Sequence, residues 1–183
     1  MKVINTSLAG VLILEPEVFG DRRGFFKESF NTIRYSEAGI DLHFVQDNYS
    51  RSQRGVLRGL HFQKNKPQGK LVSCNAGCVY DVAVDINPSS PTFGQYVGAE
   101  LSDKNHRQLW IPPGYAHGFC VLSKSADFYY KCTDFYDPND EGGLAWNDPY
   151  VAIDWPINKP NLSSKDANLP TLADLKQNRD LKR

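Results

Sequence analysis

"GLHFQKNKPQGKLVSCNAG", Gly59–Gly77, decides how this chain folds and what its interior can do. With Gly55 ahead of it, the stretch sets a glycine, five residues, His61 and a closing glycine at 77. That is the outline of a segment that ligates a metal through two histidines and a glutamate. The second histidine's place holds Gln63, and the glutamate's place holds Lys70. A primary amide is a weak ligand. A lysine ammonium offers no lone pair and repels a cation. The outline is kept while two of its ligands are gone, and Lys70 stands where a cation would bind.

Outward from this stretch the hydrophobic pattern has period two in short pieces. "GVLIL", "GFFKESF", "HFVQDNYS", "KLVSCNAG", "CVYDVAVDI", "QYVGAEL", "RQLWIP", "GFCVLS" and "DFYYKCTDFY" read as strands. "GDRRG", "NPSSPTFG", "IPPG", "DPNDEGG" and "NDP" between them are turn chemistries. Only "NTIRYSEAGI" and the tail "TLADLKQNRDLKR" have helical spacing. Strands do not alternate with long helices, which argues against a parallel α/β sheet. The expectation is a mainly β chain: an antiparallel jelly-roll barrel with a few short helices, one domain over 1–183.

Composition narrows the function. Lys+Arg and Asp+Glu are 21 each, so the formal charge is zero and no basic field exists to hold nucleic acid. The N-terminal region has a five-residue apolar run followed by Glu15 and Pro16, too short for a signal peptide or a membrane span. A cytoplasmic protein with no membrane partner is expected. Cys74 and Cys78 have three residues between them, not two, and no second pair completes a zinc set. Cys74, Cys78, Cys120 and Cys132 read as reduced core cysteines.

A second motif, "PPGYAHGF", holds Pro112, Gly114 and His117 in P-x-G-x-x-H spacing. Together the two motifs resemble those of cupin barrels, in which the last histidine completes the metal set. Here the four ligand places are His61, Gln63, Lys70 and His117. Three readings follow: a barrel with hydrogen-bonded core histidines, a poor metal site of two imidazoles, or organic catalysis without metal. In the third, a histidine acts as general base and the Lys70 cation steadies the enolate formed beside a carbonyl.

Strand alternation puts Phe128, Tyr130, Cys132, Asp134 and Tyr136 on one face of "DFYYKCTDFYDP". Tyr130 is a candidate acid and Tyr136 a candidate stacking ring; core packing is the plain alternative. In "YDVAVDI", Asp81 and Asp85 share a face, and an inward carboxylate needs a partner, with Lys70 or His61 as candidates. Arg22 and Arg23 lie in a glycine-bounded turn ahead of Glu28. Gln46, Asp47, Asn48 and Arg58 interrupt otherwise apolar strands; arginine suits phosphate.

Taken in order, these segments resemble the dTDP-4-dehydrorhamnose 3,5-epimerase family, a metal-free branch of the cupins. The resemblance runs from "ILEPEVFGDRRGFFKESF" through "FVQDN", "VLRGLHFQ", "GKLV", "VYDVAVDI", "SPTFGQYVG", "LWIPPGYAHGF", "YKCTDFY", "EGGLAWNDP" and "IDWP" to "LSSKDANLP". It implies roles by position. His61 would be the base, Asp166 its paired carboxylate, Tyr130 the acid on the opposite face and Lys70 the cation at the C4 oxygen. Arg58 and His117 would contact substrate. Gln46, Asp47, Asn48, Glu141 and Lys165 would form the nucleotide-sugar pocket, with Tyr136 stacked on thymine. Arg23 and Glu28 would reach the nucleotide across a homodimer interface.

The implied reaction inverts C3 and C5 of dTDP-4-dehydro-6-deoxy-D-glucose to give dTDP-4-dehydro-L-rhamnose, with no cofactor and no metal. An epimerase acting on C3 alone would keep the same dyad. A ketoisomerase of the same barrel would move the ketone. From other classes, a metal-dependent oxygenase is disfavoured by Gln63 and Lys70. A nucleotide-sugar binding module would not need His61 and Tyr130 facing each other.

Overall fold

The computed structural model describes residues 1–180. In chain order its strands are β1 (Lys2–Asn5), β2 (Leu12–Glu15), β3 (Val18–Asp21), β4 (Gly24–Lys27), β5 (Gln46–Gln53), β6 (Leu57–Gln63) and β7 (Lys70–Ala76). There follow β8 (Cys78–Asp85), β9 (Tyr96–Ser102), β10 (Gln108–Ile111), β11 (Tyr115–Val121), β12 (Ser125–Cys132) and β13 (Glu141–Gly143). The helices are α1 (Thr32–Glu37) and α2 (Leu172–Asp180).

Two antiparallel sheets face each other, one ordered β1-β2-β10-β7-β12-β5 and the other β13-β6-β11-β8-β9. This is the expected jelly roll. Alternation along each strand builds the interior: Val72 and Cys74, Val79 and Ala83, Ala99 and Leu101, Phe119 and Val121, and Ala126 and Phe128 pack in one buried cluster. Cutting Leu101 back to alanine there costs about 2–5 kcal/mol.

The opposite faces are covered differently. Outside the six-stranded sheet, Leu12, Leu14, Leu71 and Trp110 pack under Tyr35 and Ile40 of the α1 region. Helix α1 starts there because Asn31 accepts hydrogen bonds from the Ile33 and Arg34 N–H groups. Outside the five-stranded sheet, Leu57, Leu60, Phe62, Val82 and Val84 are covered by Leu144, Val151, Trp155 and Leu172. The segment after β13 therefore works as a strap across that sheet.

Three strand readings change. Residues 2–5 form β1, which the polar start of the chain did not signal. "GFFKESF" is a strand only to Lys27, and its partner β3 makes a separate two-stranded sheet with it. "DFYYKCTDFY" ends as a strand at Cys132. Beyond it the backbone is satisfied by side chains instead of a ladder: the Phe135 N–H donates to Asp134 Oδ1 and the Tyr136 N–H to Gln46 Oε1. The tail is helical from Leu172 to Asp180; residues 181–183 lie outside the described part. Cys74, Cys120 and Cys132 are buried and Cys78 is partly so; all four are free. No described helix is long and apolar enough to cross a membrane.

Candidate active site

His61 and Arg58 are three residues apart, which would put them on opposite faces of a regular strand. Both line the same cavity. The ladder between β6 and β11 explains this: His61 pairs with His117, but Arg58 pairs with Phe119, so β6 carries one extra residue at Gly59–Leu60. This bulge resets the parity. Leu57, Leu60 and Phe62 go outward together, while Arg58, His61 and Gln63 turn inward. Gly59 is required there. Its φ is +120°, and a Cβ would lie 2.6 Å from Gly118 Cα.

The cavity holds about 420 Å³ between the two sheets. It gathers Gln46 and Asn48 of β5, Arg58 and His61 of β6, Lys70 of β7, His117 of β11, Tyr130 of β12, Tyr136, Glu141, Lys165 and Asp166. Those eleven were expected from the sequence. Three expected residues are not brought to it. Asp47 alternates to the far face of β5, where Lys131 Nζ donates to its Oδ1 at 2.8 Å. Arg23 is held by Asp21 in the turn between β3 and β4, and Glu28 is paired with Arg34. Ser50, Gln68, Phe119, Phe128 and Ser163 also line the cavity. Period-two alternation from Asn48 and Tyr130 points to Ser50 and Phe128; nothing in the spacing points to the other three.

Asp166 arrives in a short 3-10 turn, Asp166–Asn168, at the end of the strap. Its Oδ1 is 2.7 Å from His61 Nε2. Burial pushes its carboxyl up, but hydrogen bonds from His61, Ser163 and the Gly59 backbone outweigh this and leave it below the usual aspartate range. An ionised carboxylate only accepts, so Nε2 carries the proton and Nδ1 keeps a lone pair. That is the form of imidazole a general base requires.

His117 makes the second pair. Its Nε2 lies 3.0 and 3.1 Å from the two oxygens of Asp81. So Asp81 is partnered by His117, not by Lys70 or His61 as the strand alternation allowed. Asp85 instead accepts from Ser90 and Thr92 in the following turn. Burial holds the His117 imidazole below its ordinary value and the Asp81 carboxyl above its own.

Lys70 has no carboxylate within ion-pair distance among the described residues. Burial pushes its ammonium down, opposed by Cys132, Asp81 and Glu141. A desolvated cation without a paired anion is arranged to receive a negative charge from a ligand. Burial also raises the Tyr130 phenol to about 12, so it keeps its proton. At the rim, Glu141 accepts from Tyr136 Oη at 3.0 Å and from Lys165 Nζ at 2.7 Å.

The residues do not fit a metal. Gln63 donates to the Lys66 and Phe135 carbonyls and accepts from the Asp137 N–H, so its amide is fully engaged in the loops. No cluster of three His, Cys, Asp or Glu among the described residues is arranged to hold an ion.

The family model described as dTDP-4-dehydrorhamnose 3,5-epimerase matches residues 5–174. The enzyme of that name from Salmonella typhimurium is 57% identical over 94% of this chain and 96% of its own length. A dTDP-4-dehydrorhamnose 3-epimerase from Streptomyces niveus is 40% identical over 95% of this chain and 85% of its own. The crystal structure of dTDP-6-deoxy-D-glucose-3,5-epimerase from Legionella pneumophila, in complex with dTDP-4-keto-L-rhamnose, superposes with a TM-score of 0.92. It is 57% identical and covers 94% of this chain and 93% of that one. With its cupin-like jelly roll and this likeness along nearly its whole length, the chain belongs to the dTDP-4-dehydrorhamnose 3,5-epimerase family.

Proposed function

We propose that this single-domain enzyme converts dTDP-4-dehydro-6-deoxy-D-glucose to dTDP-4-dehydro-L-rhamnose, inverting C3 and C5. The observation that carries the reading is the His61–Asp166 pair opening on the cavity that also holds Lys70 and Tyr130. The C4 ketone acidifies the hydrogens on its two neighbours. His61 Nδ1 takes one, and the electron pair moves onto the C4 oxygen. Lys70 stabilises that enolate, and Tyr130 returns a proton to the carbon from the opposite face. The same cycle serves the other carbon. Each cycle removes one proton and adds one, with nothing oxidised or reduced, so the reaction balances without a cofactor. Arg58 and His117 contact the sugar. Gln46, Asn48, Glu141 and Lys165 hold the nucleotide, with Tyr136 against thymine. A nucleotide-sugar substrate supports a cytoplasmic enzyme.

Arg23 and Glu28 serve the neighbouring copy of a homodimer in this reading. Two observations support it. Neither residue lines this chain's own cavity. The hairpin between them and the body exposes Val18, Phe19, Phe25 and Phe26, a surface that a second copy would cover.

The test is incubation with the 4-keto sugar nucleotide in deuterated water, followed by product NMR. Deuterium at C3 and C5 with inversion at both is expected, unchanged by exhaustive chelation. Deuterium at C3 alone would make this a 3-epimerase like the Streptomyces relative, and a displaced ketone would make it an isomerase. No exchange at either carbon would overturn the reading. For the dimer, mixing Arg23→Ala with His61→Ala subunits should restore activity, because one hybrid site is then intact. No restoration would mean that each site is built within one chain.

A further inference from the structure

Cys132 has no part in the proton transfers above, yet it faces Lys70 across the β12–β7 ladder and Gln46 across the β12–β5 ladder. It ends a directional chain of hydrogen bonds. The Tyr136 N–H donates to Gln46 Oε1 at 2.9 Å. Gln46 Nε2 donates to Asn48 Oδ1 at 3.0 Å, and Asn48 Nδ2 donates to Cys132 Sγ at 3.5 Å. Turning either amide over would set donor against donor or acceptor against acceptor. The backbone N–H fixes one end, and the sulfur absorbs the last donor at the other. Each amide nitrogen keeps one further N–H, and both side chains line the cavity.

We propose that Cys132 is a positioning residue. As terminal acceptor it holds Asn48 and Gln46 with their remaining N–H donors available to the nucleotide's oxygens, and it ties the Tyr136 loop to the same chain. This rests on the reading of the cavity as a nucleotide-sugar site. The thiol suits the place for a second reason. Burial keeps it protonated, whereas an anion opposite Lys70 would neutralise the cation on which the enolate depends.

Without the sulfur, Asn48 Nδ2 loses its acceptor beside a wall that contains the buried ring of Phe128. An unpaired donor there costs more than the weak bond itself. Cys132→Ala should raise KM for the nucleotide sugar about 3- to 10-fold with kcat little changed. Cys132→Ser restores an acceptor of similar size and should return KM to the parent value. In an Asn48→Ala background, Cys132→Ala should add nothing, because its effect passes through Asn48. A melting curve on each variant reports any plain loss of packing. If Cys132→Ala leaves KM at the parent value, or if Cys132→Ser fails to restore it, the proposal is overturned. The same follows if the two alanine substitutions multiply. A parent enzyme without epimerase activity would sink the function itself, a result distinguishable from any of these.

Discussion

His61 and His117 are register partners on adjacent strands, and each faces an aspartate. The pairs are chemically identical and electrostatically opposite. His61 is 27% exposed on its side chain, and several hydrogen bonds hold Asp166 ionised. His117 and Asp81 are 7% and 0% exposed, and burial shifts both toward their neutral forms. The difference is one of supply. Asp166 gains donors from a serine and a backbone amide, whereas Asp81 sits in the barrel with His117 as its hydrogen-bond partner and Lys70 acting only through its field. Hydration and added donors keep the first pair's carboxylate ionised and its imidazole open to the cavity, as the proposed base and counter-ion require. Their absence makes the second a fixed wall beside it.

Breaking each pair separates the two roles. His61→Ala should lose about 10²–10⁴-fold or more of both deuterium wash-in and inversion, with little change in melting temperature. His117→Ala should do the reverse in stability, because it leaves Asp81 buried without its partner. A loss of about 1–3 kcal/mol is expected for the unsatisfied buried carboxyl, read as a fall of about 2–12 °C in the melting midpoint. Equal melting curves for the two variants would erase the distinction. Asp166→Asn should lower kcat by less than loss of the base itself, since the imidazole stays in place. If it equals His61→Ala, Asp166 does more than orient.

The smallest effect sharpens the contrast through pH. His117 faces Asp81, Lys70 and His61, and its folded pKa lies below the ordinary imidazole value of 6.5. Below pH 6.5 the unfolded chain therefore binds a proton that the folded chain refuses. Its stability contribution is complete above that pH and is lost as pH falls toward the folded value. Asp166 is depressed from its ordinary 3.8 and should contribute stability above that pH, lost only in stronger acid. The His117 contribution to the melting midpoint should thus decline between pH 7 and 5 in the parent, opposed by whatever proton the raised Asp81 carboxyl takes up, and should be absent in His117→Gln. An unchanged slope would show that His117 is not the group titrating.

The sequence made the barrel legible because most of its strands are amphipathic and their turns are marked by glycine, proline and aspartate. His61, Lys70 and His117 were legible from spacing, and Asp166 only through family resemblance. Three things were not. The Gly59–Leu60 bulge turns Arg58 to the same side as His61, and no alternation rule contains an inserted residue. Tyr136 reaches the cavity by a loop, because β12 has no ladder partner beyond Cys132. Asp47 lies apart from Gln46 and Asn48, which the resemblance groups with it, because strand alternation turns it to the other face beside Lys131.

The strap over the five-stranded sheet carries the residue that completes the dyad. Asp166 lies 105 positions after His61, and its segment also seals Leu57, Leu60 and Val82 from water. The strap follows every barrel strand in the chain, so a chain extended only as far as β13 has Lys70, Tyr130 and His61 but neither Asp166 nor a cover for that apolar face. In the proposed function, completion of the dyad and closure of that face therefore depend on the same segment. A nascent chain halted before the strap would be both inactive and sticky, so quality control that recognises exposed apolar surface would remove the same molecules that cannot turn over substrate.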